Sequence, residues 1–195
     1  EDGKFGQAVL VEEGTTNLIG APRFFATSGE DSSVTYNNHH IKIDFTSDVD
    51  SGYKYYYPVI NVSPNTNYTF SFKIVNYIKA PTSSDNFIRV LSGNNQFPVL
   101  GIKTFTVNDV GKTISVTFNS GNNTQVTPNF VAHANIGERV ILEVKEIQLE
   151  AKPYVTSFTP GTRSPESLTI PTAGVLNPTE GTISLWVKPP KVVSP

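Results

Sequence analysis

The stretch Val62-Ser63-Pro64-Asn65-Thr66-Asn67-Tyr68-Thr69-Phe70-Ser71-Phe72-Lys73-Ile74-Val75 decides the fold. It opens as a turn rich in Pro and Asn. It then passes into alternation of Tyr68, Phe70, Phe72 and Ile74 with Thr69, Ser71, Lys73 and Val75. Successive side chains of a strand point to opposite faces, so one side of this segment is a continuous apolar row. The same period recurs outward in both directions. Ile41, Ile43 and Phe45 form one such row, Ile114, Val116 and Phe118 another, and Val140, Leu142 and Val144 a third. After Val144 the phase slips by one residue and Ile147 and Leu149 carry the row on, which predicts a β-bulge.

Weaker runs over 34–36, 53–62, 87–91, 99–107 and 127–133 bring the expectation to about nine strands between residues 15 and 158. Turn residues separate them. Asn94-Asn95 and Asn122-Asn123 suit positions of positive φ at loop ends. No dozen residues carry apolar positions at a 3.6 period, and no good capping box is found, so helix is not expected. The predicted fold class is all-β: an antiparallel β-sandwich, with a jelly roll as the economical arrangement.

Composition agrees with that reading and removes several function classes. The 195 residues include no Cys, so disulfides, thiolate metal sites and Cys nucleophiles are excluded. Net charge is −2 and the basic residues are scattered, so no nucleic-acid partner is expected. No apolar run approaches the ~20 residues that span a bilayer. Met is missing even at position 1, and the chain is expected to be a piece of a longer protein.

The chain also reads as one module interrupting another. Gly3-Lys4-Phe5-Gly6-Gln7-Ala8-Val9-Leu10-Val11 at the start, and the runs 167–171 and 181–189 at the end, have the character of strands from a single fold. Residues 1–14 are assigned to the first strand of an incomplete sandwich, 15–160 to the jelly roll, and 161–195 to a linker and further strands of the incomplete sandwich. Gln7 to Val11 is expected to pair with Leu168 to Ile170 or with Ile183 to Val187.

Two resemblances follow from particular motifs. Thr16-Asn17-Leu18-Ile19, the stretch Val62 to Phe72, and Val144-Lys145-Glu146-Ile147-Gln148-Leu149-Glu150 followed by Lys152 to Phe158 resemble a CenC-like carbohydrate-binding module. The flanks, with Gly3-Lys4-Phe5-Gly6 and Thr182-Ile183-Ser184-Leu185-Trp186-Val187, resemble a laminin-G or concanavalin A-like sandwich. The pair is similar to modules of tail or minor structural proteins of phages infecting Gram-positive hosts. The resemblance implies a virion-tail, extracellular or cell-surface location, with virion or surface proteins as partners. Modules of this type commonly hold a structural calcium with an acid in the final strand. Lys145 stands at that place here, and an ammonium group cannot ligate a hard cation. No cofactor is therefore expected, with structural calcium left as an open alternative.

The residues singled out for ligand contact are Tyr53, Tyr55 and Tyr57, which share one face of a strand and offer rings that can stack on pyranoses. Arg89, Asn95 and Gln96, with Asn94, offer planar groups for vicinal hydroxyls. The alternative is that the tyrosines are core aromatics and the polar groups are merely solvated. Asp48-x-Asp50-x-Gly52 with Asp44 upstream reads as an acidic turn rather than a full calcium loop. His39 and His40, being adjacent, are expected on opposite strand faces, so no zinc site and no other metal ligand set is assigned. No paired carboxylates, nucleophile elbow or phosphate-cradling loop is found, so no catalytic residue is assigned and the chain is read as a non-enzyme. The function expected is contact with cell-wall or surface glycans, and the rival reading is a structural spacer without sugar binding.

Overall fold

The computed structural model describes residues 2–3, 6–7, 11–19, 23–26, 32–37, 39–48, 52–57, 59–79, 87–93 and 96–167. Its strands in chain order are β1 (Asp2–Gly3), β2 (Gly6–Gln7), β3 (Thr15–Thr16), β4 (Arg23–Ala26), β5 (Ser32–Asn37), β6 (His40–Thr46), β7 (Gly52–Tyr57) and β8 (Ile60–Asn61). They continue with β9 (Asn67–Ile78), β10 (Phe87–Ser92), β11 (Gln96–Thr104), β12 (Thr113–Asn119), β13 (Gln125–Ala134), β14 (Arg139–Glu150) and β15 (Thr162–Arg163). Two sheets dominate. One runs β11-β10-β13-β7-β4, with β8 also on β13, and the other runs β12-β9-β14-β6-β5. Every pairing in them is antiparallel, so the all-β antiparallel sandwich expected from the alternation is what forms.

The core lies between these sheets, and the apolar rows build it. Ile41, Ile43 and Phe45 meet Phe70, Phe72, Ile74, Ile114, Val116, Phe118, Val140, Leu142 and Val144 from one sheet, and Ile88, Val90, Val126, Phe130 and Ala132 from the other. Aromatic edges join the layers. Phe130 sits 4.9 Å from Phe72 and 5.7 Å from Phe70, both T-shaped, and Phe105 bridges Phe72 to Tyr77 at 6.0 and 5.3 Å. Such pairs contribute about 0.5–1.5 kcal/mol each beyond the burial of their surface. Tyr68 also enters the core, and its hydroxyl reaches the rim, where it accepts a hydrogen bond from the Ser63 amide at 2.8 Å.

The bulge read from the phase slip is present. Lys145 pairs with Lys73 and Gln148 with Ser71, so β14 carries one extra residue there. Glu146 absorbs the turn at φ +55°. A second bulge went unread. Glu143 pairs with Asn76 but Val144 with Ile74, leaving Val75 and Asn76 exposed and returning Tyr77 to the core.

Several expectations need correction. The run expected over 99–107 is β11 at Gln96–Thr104, after which Phe105 turns into the core. Pro98 and Gly101 hide this strand from the alternation, and an edge strand tolerates such a proline. Gly101 also permits a close approach, since a Cβ there would lie 2.8 Å from a Val116 methyl. A capping box does exist: Thr106 and Asp109 close a single 3₁₀ turn, Val107–Asp109. Positive φ falls on Asn65, Gly93 and Gly121 rather than on Asn122-Asn123; Asn94-Asn95 lies outside the described residues. The run 53–62 is split into β7 and β8, and the split coincides with Pro128 on β13, which has no N–H to give to a neighbour.

The segments that lead in and out of the sandwich run beside each other. Thr16 pairs with Thr162 and Thr15 with Arg163, and the Glu166 amide donates to the Glu12 carbonyl. Asp2–Gly3 pairs with Gly6–Gln7. The expected pairing of Gln7 to Val11 with 168–170 or 183–187 lies outside the described residues, as does Trp186.

Phe72→Ala should lower the unfolding free energy by about 3–5 kcal/mol, whereas Ile102→Ala, on an exposed part of β11, should change it by about 0.5 kcal/mol or less. Urea unfolding of the two variants checks this, and a loss below about 1 kcal/mol at Phe72 would contradict the core assignment.

Candidate functional site

Cross-strand partners lie on the same face of a sheet, so register sorts the residues of β13 into two sets. Val126, Phe130, Ala132 and Ala134 join the inter-sheet core. Thr127, Asn129, Val131 and His133 alternate with them and occupy the outer face, yet they too are buried. On β10, Ile88 and Val90 face the core, while Phe87, Arg89 and Leu91 are level with Val131, Asn129 and Thr127. On β7, Tyr55 is level with Val131 and Tyr53 with His133. On β4, Phe25 is level with Tyr55 and Arg23 with Tyr57.

The outer face of the six-stranded sheet therefore carries parallel rows. The first crosses four strands as Arg89, Asn129, Tyr57 and Arg23, with the Phe130–Tyr56 pair setting Tyr57 level with Asn129. The second is Phe87, Val131, Tyr55 and Phe25, and the third holds His133 and Tyr53. Exposed Ile102 extends the first row onto β11 beside Arg89. The Arg89 guanidinium lies 5.9 Å from the centre of the Phe87 ring, and Thr127 donates to the Gly93 carbonyl at 2.6 Å.

Of the residues singled out from sequence, Tyr53, Tyr55, Tyr57 and Arg89 thus fall on one face. Gln96 lies at the start of β11, level with Ser92, and Asn95 lies outside the described residues. Asn129, His133, Phe87, Phe25 and Arg23 were not singled out. The alternation of 127–133 contained the signal for the first two, because its non-core positions are Thr, Asn, Val and His in a strand with partners on both sides.

A second polar cluster has a structural role. Asn17 is buried, and its side chain bridges three segments: Oδ1 accepts from the amides of Ile19 and Leu149, and Nδ2 donates to the carbonyls of Ile147 and Thr159. Beside it Glu150 is fully buried. Its carboxylate accepts from the Thr15 hydroxyl at 3.0 Å, Gln148 Nε2 at 3.0 Å, the Thr156 amide at 2.9 Å and the Thr156 hydroxyl at 2.7 Å. Glu12 pairs with Arg163 at 2.8 Å and Glu13 with Lys152, closing the seam on its outer side.

These residues do not fit a calcium ion. Lys145 is exposed and paired with Glu146 at 3.4 Å. The acid that the final strand buries is Glu150, and its oxygens are already taken by protein donors. Among the described residues no three His, Asp or Glu are gathered as a cation requires. Asp44 is likewise engaged: Arg139 donates Nε to Oδ1 at 2.9 Å and Nη2 to Oδ2 at 3.0 Å, and these bonds hold its carboxyl below the usual carboxylate range. The two histidines do not share a strand. His39 is a turn residue at φ +68° with Nδ1 3.1 Å from the Ile147 carbonyl, and His40 begins β6 with Nε2 2.8 Å from Glu143.

No protein-family model matches the chain, and no curated protein matches it. Among solved structures it is similar to one described as "CBM4 structure and function", at 15% identity and a TM-score of 0.46, over 66% of this chain and 86% of that one. It is also similar to a carbohydrate binding module from Cellvibrio mixtus lichenase 5A in complex with cellotriose, at 10% identity and a TM-score of 0.34, over 71% and 98% of the two chains. A third is the enzymatically active domain of tailspike protein 4 of bacteriophage CBA120, at 11% identity and a TM-score of 0.47, where 66% of this chain spans 19% of that one. No residue role is carried over from them.

Glu150→Gln replaces an acceptor oxygen with an NH₂ that faces other donors, and should destabilise the fold by about 1–3 kcal/mol. Thermal unfolding checks it, and an unchanged midpoint would contradict the seam's role. For Asp44 the folded-state value lies below the unfolded value of about 3.9, so its contribution is complete above that pH and is lost as pH falls through the folded-state value. The stability difference between wild type and Asp44→Asn should accordingly be largest at neutral pH and vanish in strong acid. A difference that persists there would contradict the pairing.

Proposed function

We propose that the chain is a non-catalytic carbohydrate-binding module that holds its ligand on the outer face of the six-stranded sheet. We place it on a phage tail or a bacterial surface, contacting host cell-wall or surface glycans. The observation that carries this reading is the register that sets Tyr53, Tyr55 and Tyr57 on the same face of the sheet as Arg89. A pyranose has an apolar face of C–H groups and a rim of hydroxyls. Recognition therefore needs flat aromatic surface beside planar polar groups, and alternate strand positions supply both on a rigid frame. Glycoside hydrolysis needs two carboxylates across the bond, and the strands that form this face contain none. Affinity per module is expected to be weak and to be raised by repetition in an assembly.

One observation favours the structural spacer as a second reading. The incoming and outgoing segments are paired and sealed by Asn17, Glu150 and the Glu12–Arg163 ion pair, so the module can be carried as a rigid unit whether or not it binds anything.

A glycan array of neutral and acidic glycans, probed with wild type, Tyr55→Ala and Tyr57→Ala, separates the two. Binding by wild type that weakens about tenfold or more in each variant, with unchanged melting, is expected. No retention of any glycan, or retention indifferent to both changes, would leave the spacer reading standing.

A further inference from the structure

We propose that the module has a second ligand site, a cleft on the outer face of the five-stranded sheet that takes a single neutral pyranose ring. It lies on the opposite sheet from the face assigned above and shares no residue with it, so it stands or falls by itself. The cleft has a volume of about 370 Å³, near the lower end of the ~300–1,000 Å³ of small-molecule pockets. Ser71 of β9 and Thr113 of β12 line it together with Glu146 at the bulge of β14 and residues 155–158 of the tail. Hydrogen bonds fix the tail as a wall. The Thr156 amide and hydroxyl donate to Glu150, the Ser157 amide donates to Glu12 at 2.8 Å, and the Thr159 amide donates to Gln148 Oε1 at 2.8 Å. His39 packs edge-to-face with Phe158 at 5.5 Å, which orients that ring. The wall is therefore set before a ligand arrives, and less ordering is needed to bind one.

The lining names the ligand class. Ser71 is only 4% exposed, yet among the described residues nothing bonds its hydroxyl. A hydroxyl buried without a partner is costly unless a ligand or water serves it. The Thr113 and Ser157 hydroxyls are likewise without a protein partner among the described residues. Thr113 is level with Lys73 and Ser115 with Ser71, so the two hydroxyls of the floor are diagonal neighbours on one face. Each can donate and accept, as sugar hydroxyls do. Glu146 is the charged residue of the lining, and its exposed pairing with Lys145 engages one of its two oxygens. A carboxylate accepts from two vicinal hydroxyls at once and repels a uronate. Glu146 stands at φ +55°, a costly conformation for a residue with a side chain, and bulges commonly re-aim a side chain beside a site. Val155 and Phe158 are both exposed on the wall, an apolar surface suited to the C–H face of a pyranose. Free hydroxyls, one acceptor carboxylate and one oriented ring in this volume are complementary to one ring of a neutral sugar.

The test follows backbone amide shifts of the full chain by NMR during titration with five probes: the methyl β-glycosides of glucose, galactose and N-acetylglucosamine, methyl β-glucuronide, and glycerol. At least one neutral glycoside should move the amides of Ser71, Thr113, Glu146 and residues 155–158 saturably, with a dissociation constant of about 1–10 mM. Glycerol, which has no ring face, should not, and the glucuronide should bind more weakly than the neutral glycoside. Thr113→Val and Glu146→Gln should each weaken binding about fivefold, and Phe158→Ala about tenfold. Should Phe158→Ala not fold, Thr113→Val decides, since that side chain is exposed on an edge strand. The same shifts should persist in the Tyr55→Ala, Tyr57→Ala double variant, because the cleft does not draw on the other sheet. The inference is overturned if no neutral glycoside moves these amides, if glycerol moves them equally, or if the glucuronide binds tighter. It is overturned as well if binding ignores both Thr113→Val and Glu146→Gln, or if it is lost in the tyrosine double variant. None of these results touches the reading of the six-stranded sheet, which the glycan array decides separately.

Discussion

The rest of the structure depends on a strand that is buried on both faces. β13 places Val126, Phe130, Ala132 and Ala134 against the facing sheet and Thr127, Asn129, Val131 and His133 on the outside. A slip of one residue in its register would exchange these sets, placing Asn129 and His133 in the aromatic core and Phe130 on the outer face. The edge-to-face contacts of Phe130 with Phe70 and Phe72 resist that exchange, because polar groups in their place would be buried without comparable partners. Core packing thereby fixes which residues of β7, β10 and β4 are level with one another. The register of the candidate face is in this sense a consequence of the core.

A second constraint acts at the seam. The bulge in β14 removes regular partners from the backbone around Ile147, and Asn17 replaces them with its own amide, joining the incoming segment, the final strand and the tail at Thr159. Glu150 is a buried carboxylate, which is costly unless its lone pairs are taken, and four donors from three segments take them. Polar groups here fasten the incoming segment and the tail to the final strand, beside the core residues Ile19, Ile147 and Leu149.

What could be read in the sequence follows from where alternation is undisturbed. Tyr68 to Ile74 and Val140 to Val144 lie in interior strands with one face on the core, so burial alone explains their pattern, and even the bulge after Val144 shows as a slip of phase. The bulge at Val75 left no such mark, because the apolar residues on its two sides did not read as one row. β11 was misplaced because Pro98 and Gly101 answer to edge position and close approach rather than to burial. The tyrosines of β7 and Arg89 were legible as residue types suited to sugars, but their neighbours were not. Asn129, His133, Phe25 and Arg23 join them only through pairings between strands far apart in sequence, which no local pattern encodes. Asn17 and Glu150 belong to motifs that were recognised, yet their work as bridges appears only when three segments are brought together. Likewise, position along a strand shows that Lys145 replaces the acid of a calcium site but not that Glu150 meets donors from other segments across the seam.

The central claim is that one face of one sheet holds the ligand. It is tested most directly by following backbone amide shifts by NMR while the module is titrated with the oligosaccharide it binds best. The account predicts shifts concentrated on residues 53–57, 87–91 and 127–133. Shifts confined to β9, β12 or the seam around Asn17 and Glu150 would contradict it.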